Sequence, residues 1–402
     1  MKKLTVFALL LVLCICLCAC GESEKQATLG DDFSSADTSK PSSLEEADIN
    51  LPSGIDASIG PTTSEFDKHW GNSLINYSTG LTCLAETEDK VFHNFNEFNR
   101  INIIDKSTWK SSYLGHRGKN LNVYNGSLYF IDINSSNNYL YKYDIETYSL
   151  TSISPSKIWG EFYRYSFIYD FTISNLLVGD YGILFNMKLF WTDNEVSYTK
   201  TYLVHSDYDG NTINWKLLSD TTPIYASPAF KYVPINDSKV CITENTSIDY
   251  KSAFIYDASS QSLTSYESSF PIRNFSTLGD GVCYYTDGCT NELYTYNVKT
   301  KEQVKSDIIQ RYNKLPSSVK FILCGNSILF YSFPDFDVGE PSYLLHMLSS
   351  GDHYSIPRLD SLSSINFSSA GKIFAALSSP MNLDNKYIVL SPNFEALKVF
   401  NN

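Results

Sequence analysis

The four thiols of "CICLCAC", Cys14, Cys16, Cys18 and Cys20, are the densest group of reactive side chains in the chain. Cysteines in that number can clip a metal, pair as disulfides or take up a covalent group. Structural zinc sites space their cysteines two to four residues apart and draw further ligands from downstream, and this run does neither. The six histidines, at positions 69, 93, 116, 205, 346 and 353, form no H-E-x-x-H or Cys/His ligand spacing. "DYDGN", Asp207 to Asn211, resembles half a calcium loop, but His205 and Lys216 stand where that loop needs its first and twelfth ligands. Asp-Gly beside Asn reads instead as a hairpin turn. No G-x-S-x-G, P-loop or G-x-G-x-x-G occurs. The expectation is no cofactor, no metal and no nucleophile–base set.

The elements around the cysteines explain them. Lys2 and Lys3 lead into an apolar run from Leu4 to Ala19 broken only by Thr5, the plan of a secretory signal. Its sixteen residues fall short of the ~20 that cross a bilayer. Its end, Leu17-Cys18-Ala19-Cys20, resembles the bacterial lipobox, with Cys18 in place of the usual Ala or Ser. The resemblance implies that Cys20 receives a diacylglycerol, a palmitate-type membrane anchor, and that the signal peptide, residues 1–19, is cut away. Cys14, Cys16 and Cys18 are then discarded. Five cysteines remain (Cys83, Cys241, Cys283, Cys289 and Cys324), an odd count that argues against a fully paired disulfide framework. They read as small apolar residues.

Residues 20–65 are rich in Ser, Asp, Glu, Thr and Pro, without apolar periodicity. Between Gly21 and Lys68 eleven carboxylates face three lysines. Such a stretch reads as a disordered, solvated tether, with an r.m.s. span of ~35–40 Å as a flexible coil. The whole chain carries −13, and an acidic head on an acidic tether excludes nucleic acid as a partner.

From residue 66 to 402, short aromatic and β-branched runs alternate with Gly, Asn, Asp and Ser turns, which reads as all-β. A unit recurs through this region: an apolar pair, a loop, a strand ending in Asp or Asn, then a short closing strand. The pairs are Val91-Phe92, Leu128-Tyr129, Ile183-Leu184, Val240-Cys241, Val282-Cys283, Ile328-Leu329 and Ile373-Phe374, at gaps of 37, 55, 57, 42, 46 and 45 residues. Four strands per ~40–45 residues is the size of a β-propeller blade. The expected fold is a propeller of seven four-stranded blades, with six or eight as alternatives. Two β-sandwich domains would match the strand content without the sevenfold period. "PSKIWGEFYRYSFIYDF", from Pro155, widens one unit as an aromatic insertion.

"FWTD" (Phe190–Asp193) and "YYTD" (Tyr284–Asp287) look like the YWTD repeat of low-density lipoprotein receptor-type propellers. "HWGNSLINYSTG", from His69, followed by "LYKYD"-like hairpins, is similar to the bacterial extracytoplasmic domains grouped as DUF5050, prolow-density-lipoprotein-receptor-like propellers. The resemblance spans about Trp70 to Phe400 and supplies no catalytic residues. It implies a Gram-positive, lipid-anchored cell-surface lipoprotein with a propeller head.

In such a fold a site would lie at the central mouth. The turns between first and second strands, near Asp180, Asp237, Asp280 and Asn326, are the candidates at one end. The function expected is non-enzymatic binding of an extracellular protein, peptide or glycan. The alternative is a glycan-active hydrolase or lyase with carboxylates converging at that mouth.

Overall fold

The computed structural model describes residues 68 to 306 with short interruptions, and beyond them the backbone of strands between 320 and 401. The signal segment 1–19, Cys20, the tether 20–65, residues 155–167 of the aromatic insertion, Cys289 and Asn326 lie outside the described residues. Among those described, no helix is long and apolar enough to cross a membrane.

The chain is all-β. One antiparallel sheet holds β1 (Leu84–Glu86), β2 (Lys90–His93), β3 (Arg100–Asp105), β4 (Ser111–Tyr124), β5 (Ser127–Asp132), β6 (Leu140–Asp144) and β7 (Leu150–Ile153) in chain order. Four-stranded sheets follow. The next is β8 to β11 (Ile168–Gly179, Gly182–Asp193, Val196–Ser206, Thr212–Thr221), then β12 to β15 (Phe230–Pro234, Lys239–Glu244, Ser252–Asp257, Ser262–Glu267). After these come β16 to β19 (Ile272–Thr277, Val282–Asp287, Leu293–Asn297, Gln303–Lys305) and β20 to β23 (Lys320–Cys324, Ser327–Tyr331, Tyr343–Met347, His353–Ile356). The last is β24 to β27 (Leu362–Phe367, Ile373–Ser379, Asn382–Leu390, Ala396–Asn401).

β4, of 14 residues, takes part in two meanders. Its first half pairs with β3 (Ile104 opposite Ser111) and its second half with β5 (Tyr124 opposite Ser127). It closes one meander and opens the next, so the sheets resolve into seven four-stranded meanders. At the changeover Gly118 admits no side chain: a Cβ there would lie 2.5 Å from the Phe130 ring and 2.8 Å from Ile101.

Every apolar pair of the repeat falls on the second strand of its meander, and the runs tipped by Asp105, Asp144, Asp257 and Asn297 on third strands. The tip has a local job. Asp105 Oδ1 accepts from the backbone N–H of Ser107 (2.9 Å) and Thr108 (2.8 Å). Asp144 does the same for Glu146 and Thr147, Asp257 for Ser259 and Ser260, and Asn297 for Lys299 and Thr300. These are Asx turns, which satisfy main-chain donors that would otherwise be left over at the hairpin. The carboxyl of Asp105, held first by the Ser107 hydroxyl and then by Thr108, is lowered to about 2. Asp207 is equally occupied, by the N–H groups of Asp209 and Asn211 and the Asn211 amide, so "DYDGN" is a hairpin turn.

The core lies between successive sheets rather than at one centre. Tyr129, Ile131 and Leu140 pack against Phe171, Ile173, Phe185 and Met187, and Cys241 and Ala253 against Phe275, Cys283 and Tyr285. All six residues of β5 are buried because neighbours cover both of its faces. Each fully buried Leu, Ile or Phe contributes ~1.5–3 kcal/mol relative to exposure. Cys241 and Cys283 are free thiols inside this packing, and burial pushes Cys241 up to about 12. They act as apolar residues, as the sequence suggests.

The two ends of the meanders differ. Turns from first to second and from third to fourth strands hold two to five residues, and antiparallel pairing places both at the same end. They are bonded to each other: Ile145 N–H donates to Gly126 O (3.0 Å), Ala258 to Ser238 (2.9 Å) and Val298 to Gly281 (3.0 Å). At the opposite end the connections reach fourteen residues, at 154–167 and 306–319.

Candidate functional site

Of the predicted turn residues, Asp180, Asp237 and Asp280 lie at the tight-turn end, and among these only Asp180 joins a side-chain cluster; Asn326 lies outside the described residues. Asp237 is exposed in the turn before β13. Asp280 accepts from the N–H of Val282 (2.9 Å) and so serves its own turn. Asp180, between β8 and β9, is different. Its Oδ2 lies 2.7 Å from Nδ1 of His69, and its Oδ1 accepts from the hydroxyl of Tyr124. Tyr124 stacks on Tyr208 (centroids 5.8 Å, planes 15° apart), whose hydroxyl donates to Gly179 O at 2.6 Å. A carboxylate only accepts, so His69 carries its proton on Nδ1 and turns Nε2 away from Asp180. Burial alone would raise the Asp180 carboxyl, but the bonds from Tyr124 and His69 outweigh it and hold the group below its ordinary value. Tyr124 is raised, first by burial and then by the carboxylate it serves.

Beside this cluster lies a second, buried histidine. His205 Nε2 is 2.7 Å from Tyr181 O, and its Nδ1 is 2.9 Å from the Tyr256 hydroxyl. A carbonyl cannot donate, so Nε2 holds the proton and Nδ1 accepts from Tyr256. Burial lowers His205 and keeps it in that neutral form. It braces the β8–β9 turn from beneath.

What Asp180 holds is the chain's own N-terminal approach. The Asp180 N–H also donates to His69 O (3.1 Å). The next residues wedge between β4 and β8: Gly71 N–H donates to Val178 O (2.7 Å) and Gly71 O accepts from Val123 N–H (2.6 Å). Gly179 must be glycine there, because a Cβ would lie 2.6 Å from the Trp70 ring. Trp70 Nε1 donates to Asn236 O (3.0 Å), beside Asp237.

Then comes the short helix α1 (Leu74–Thr79), started by Ser73, whose hydroxyl accepts from Asn76 N–H (3.2 Å). Leu74 and Tyr77 are buried. Asn72 donates to Leu84 O (2.6 Å) and Leu121 O (2.7 Å), and Asn76 donates to Asn72 Oδ1 (2.8 Å). The Tyr77 hydroxyl donates to Asn122 Oδ1, which also accepts from Val178 N–H (3.3 Å). The helix rests on β12, β16, β20 and β24. Together with β1, β4 and β8, segment 70–79 therefore touches the opening strand of all seven meanders. Segment 70–79 lies among these opening strands. The sequence shows no sign of it beyond an unusual run of Asn, Ser and Trp.

Among the described residues no three His, Cys, Asp or Glu side chains gather as a metal set. His346 and His353 face each other across β22 and β23 as registered partners.

No family model and no curated protein sequence matches the chain. Among solved structures, a structure from an analysis of two prolyl endopeptidases is similar over 82% of this chain and 51% of that one, at 7% identity and a TM-score of 0.50. The β-propeller domain of the trilobed protease from Pyrococcus furiosus, described as having an open velcro topology, matches 76% of this chain and 92% of its own at 12% identity, TM-score 0.42. A quinonprotein alcohol dehydrogenase-like protein from Bacteroides thetaiotaomicron matches 77% and 75% at 12% identity, TM-score 0.45. One of these neighbours is by its title a β-propeller domain, and at these identities the likeness concerns the fold alone.

Proposed function

We propose that the chain is a seven-bladed β-propeller that serves as a non-enzymatic binding module, recognising a protein, peptide or glycan with the end opposite its N-terminal segment. The observation that carries this reading is the difference between the two ends. One is built of turns of two to five residues and holds Asp180, Asp237, Asp280 and the incoming segment. The other carries connections of up to fourteen residues on a rigid base. Recognition is commonly placed on long connections held by a rigid scaffold. The seven opening strands gathered on one segment support the blade count and a common axis.

The same reading makes the chain a lipoprotein of the extracytoplasmic membrane face of a Gram-positive cell. Cys20 is its acylated residue, 20–65 its tether, and the YWTD-type, DUF5050-like propellers its family. Cys20→Ala is expected to abolish lipid labelling, and unchanged labelling would refute the anchor.

The binding reading is tested with the full chain in detergent on glycan and peptide arrays and by cross-linking on intact cells. Saturable capture supports it; silence in all three overturns it. A second reading, a glycan-active hydrolase or lyase, has one observation in its favour. His69, oriented by Asp180 with Nε2 turned away from the carboxylate, has the form of a general base. Turnover of a glycan that is lost in His69→Ala would establish it.

A further inference from the structure

Among the described residues, no strand is shared between the last meander and the first. β24 to β27 pair only with one another, and β1 pairs only with β2. The first and second meanders, by contrast, are locked together by β4, which belongs to both. Ladder bonds of that kind fix two meanders in one register, whereas apolar faces laid together carry no direction. In a closed seven-bladed ring, β24–β27 meets β1–β4 along a seam that lacks such a lock.

Segment 70–79 is bound on both sides of that seam. Asn72 donates to Leu84 O of β1 and Leu121 O of β4, and α1 rests on β24. Gly71 and Trp70 tie the same segment to Val123 of β4, Val178 of β8 and Asn236 before β13. Only four residues, 80–83, join α1 to β1, so the first meander holds this segment close at a small cost in loop entropy. The residues are those of a fixed contact rather than of packing material. Asn72, Asn76 and Asn122 are buried, and buried amides are tolerated only where their bonds are made. Asn72 Oδ1 accepts from the Asn76 amide (2.8 Å) and the Ser73 N–H (2.8 Å) while its own amide serves two strands. Tyr77 holds Asn122, whose amide donates to Leu176 O at 3.1 Å. An axis that needed only filling would be served by Leu and Ile, without this polar cost.

We infer that segment 70–79 is the closing element of the ring. It joins the first meander to the seventh across the seam that no shared strand spans, and its release opens the ring there. The inference rests on the seven-bladed reading and adds to it a built-in point of opening. The bonds that hold the segment are separate from the ladders within the meanders, so the seam opens as a local event below global unfolding.

The test is native-state hydrogen exchange on the full chain, read by mass spectrometry on peptides covering β24 and β12. Both strands are expected to be protected in the native chain. α1 rests on both, so loss of its contact alone acts on them alike, and only the seam tells them apart. Asn72→Ala should speed exchange at β24 about tenfold more than at β12, although Asn72 bonds to β1 and β4. Tyr266→Phe, which removes the hydroxyl contact to Tyr285 between the fourth and fifth meanders, should leave β24 unchanged. If Asn72→Ala yields no folded chain, Tyr77→Phe decides the matter, with an expected difference of about threefold. Equal acceleration at β24 and β12, or none at β24, overturns the closing role and leaves the ring standing. If β24 exchanges in the native chain as fast as an unfolded peptide, the seven-bladed reading falls and the closing element with it.

Discussion

Asp180 grips His69 twice, its backbone N–H donating to the His69 carbonyl at 3.1 Å and its carboxylate meeting the imidazole Nδ1 at 2.7 Å. Residues 111 positions apart are thereby fixed where the N-terminal segment passes into the fold. The side chains are partly exposed, 29% for His69 and 40% for Asp180, so solvent screens the charge component. Asp180→Ala is expected to cost ~1–2 kcal/mol, mostly through the lost Tyr124 and His69 hydrogen bonds. Because the carboxyl is held below its ordinary value, this contribution is present above ~pH 4 and fades as pH falls through the folded-state value. Urea denaturation of native and variant chains at pH 7 and pH 3 should show the gap closing in acid.

His93, on β2, gives a second handle on pH, of the same sign but in a higher window. Burial depresses it from 6.5 to about 4 in the folded chain. The neutral form favours folding, so its contribution is complete above pH 6.5 and is lost as pH falls toward 4. The loss is on the order of 3 kcal/mol over that window. Stability measured every half pH unit should fall through this range, and His93→Gln should flatten that slope whatever it does to the level at pH 7.

The asparagines of the axial segment answer main-chain carbonyls that no water can reach. Asn72→Ala leaves Leu84 O and Leu121 O without its two bonds and is expected to cost ~2–4 kcal/mol. Tyr77→Phe removes a single hydroxyl donor and should cost ~1–2 kcal/mol. Thr147→Ala, at an exposed turn, should remain nearer ~0.5–1 kcal/mol. Chemical denaturation that ranks the three otherwise would show that the segment is not held by these bonds.

Gly118→Ala forces a methyl into the Phe130 ring and Ile101 at the changeover in β4. The expected cost is ~1–3 kcal/mol, since the ring cannot withdraw without disturbing packing on both faces of β5. Gly126→Ala, where nothing lies within 4 Å, pays only for its φ of +70°, ~1 kcal/mol. Thermal melts of the two variants separate steric from conformational cost.

Local chemistry made much of this fold legible. An apolar pair needs two buried faces, so seven such pairs mark seven second strands. A terminal Asp or Asn after an aromatic run marks the Asx turn that closes a third strand. Asp180 could be assigned to a turn for the same reason. Its partners could not be: His69 and Tyr124 come from 111 and 56 residues away, and nothing in periodicity reports such a meeting. Segment 70–79 was opaque because its six-residue helix is too short for an amphipathic stripe, and its asparagines bond to carbonyls of distant strands. The double length of β8 to β11 was not legible, because strand length is set by neighbours that the sequence does not display.

The axial segment also decides where a mechanical load would be borne. A pull on the N-terminal side of Lys68 reaches His69, Trp70 and Gly71 first and passes to a helix resting on opening strands around the axis. Peeling an outer strand breaks hydrogen bonds one after another, whereas withdrawing this segment must shear contacts with all seven opening strands together. A chain held by its N-terminus is therefore held by its hub, and tension there is shared among the meanders before any one of them yields.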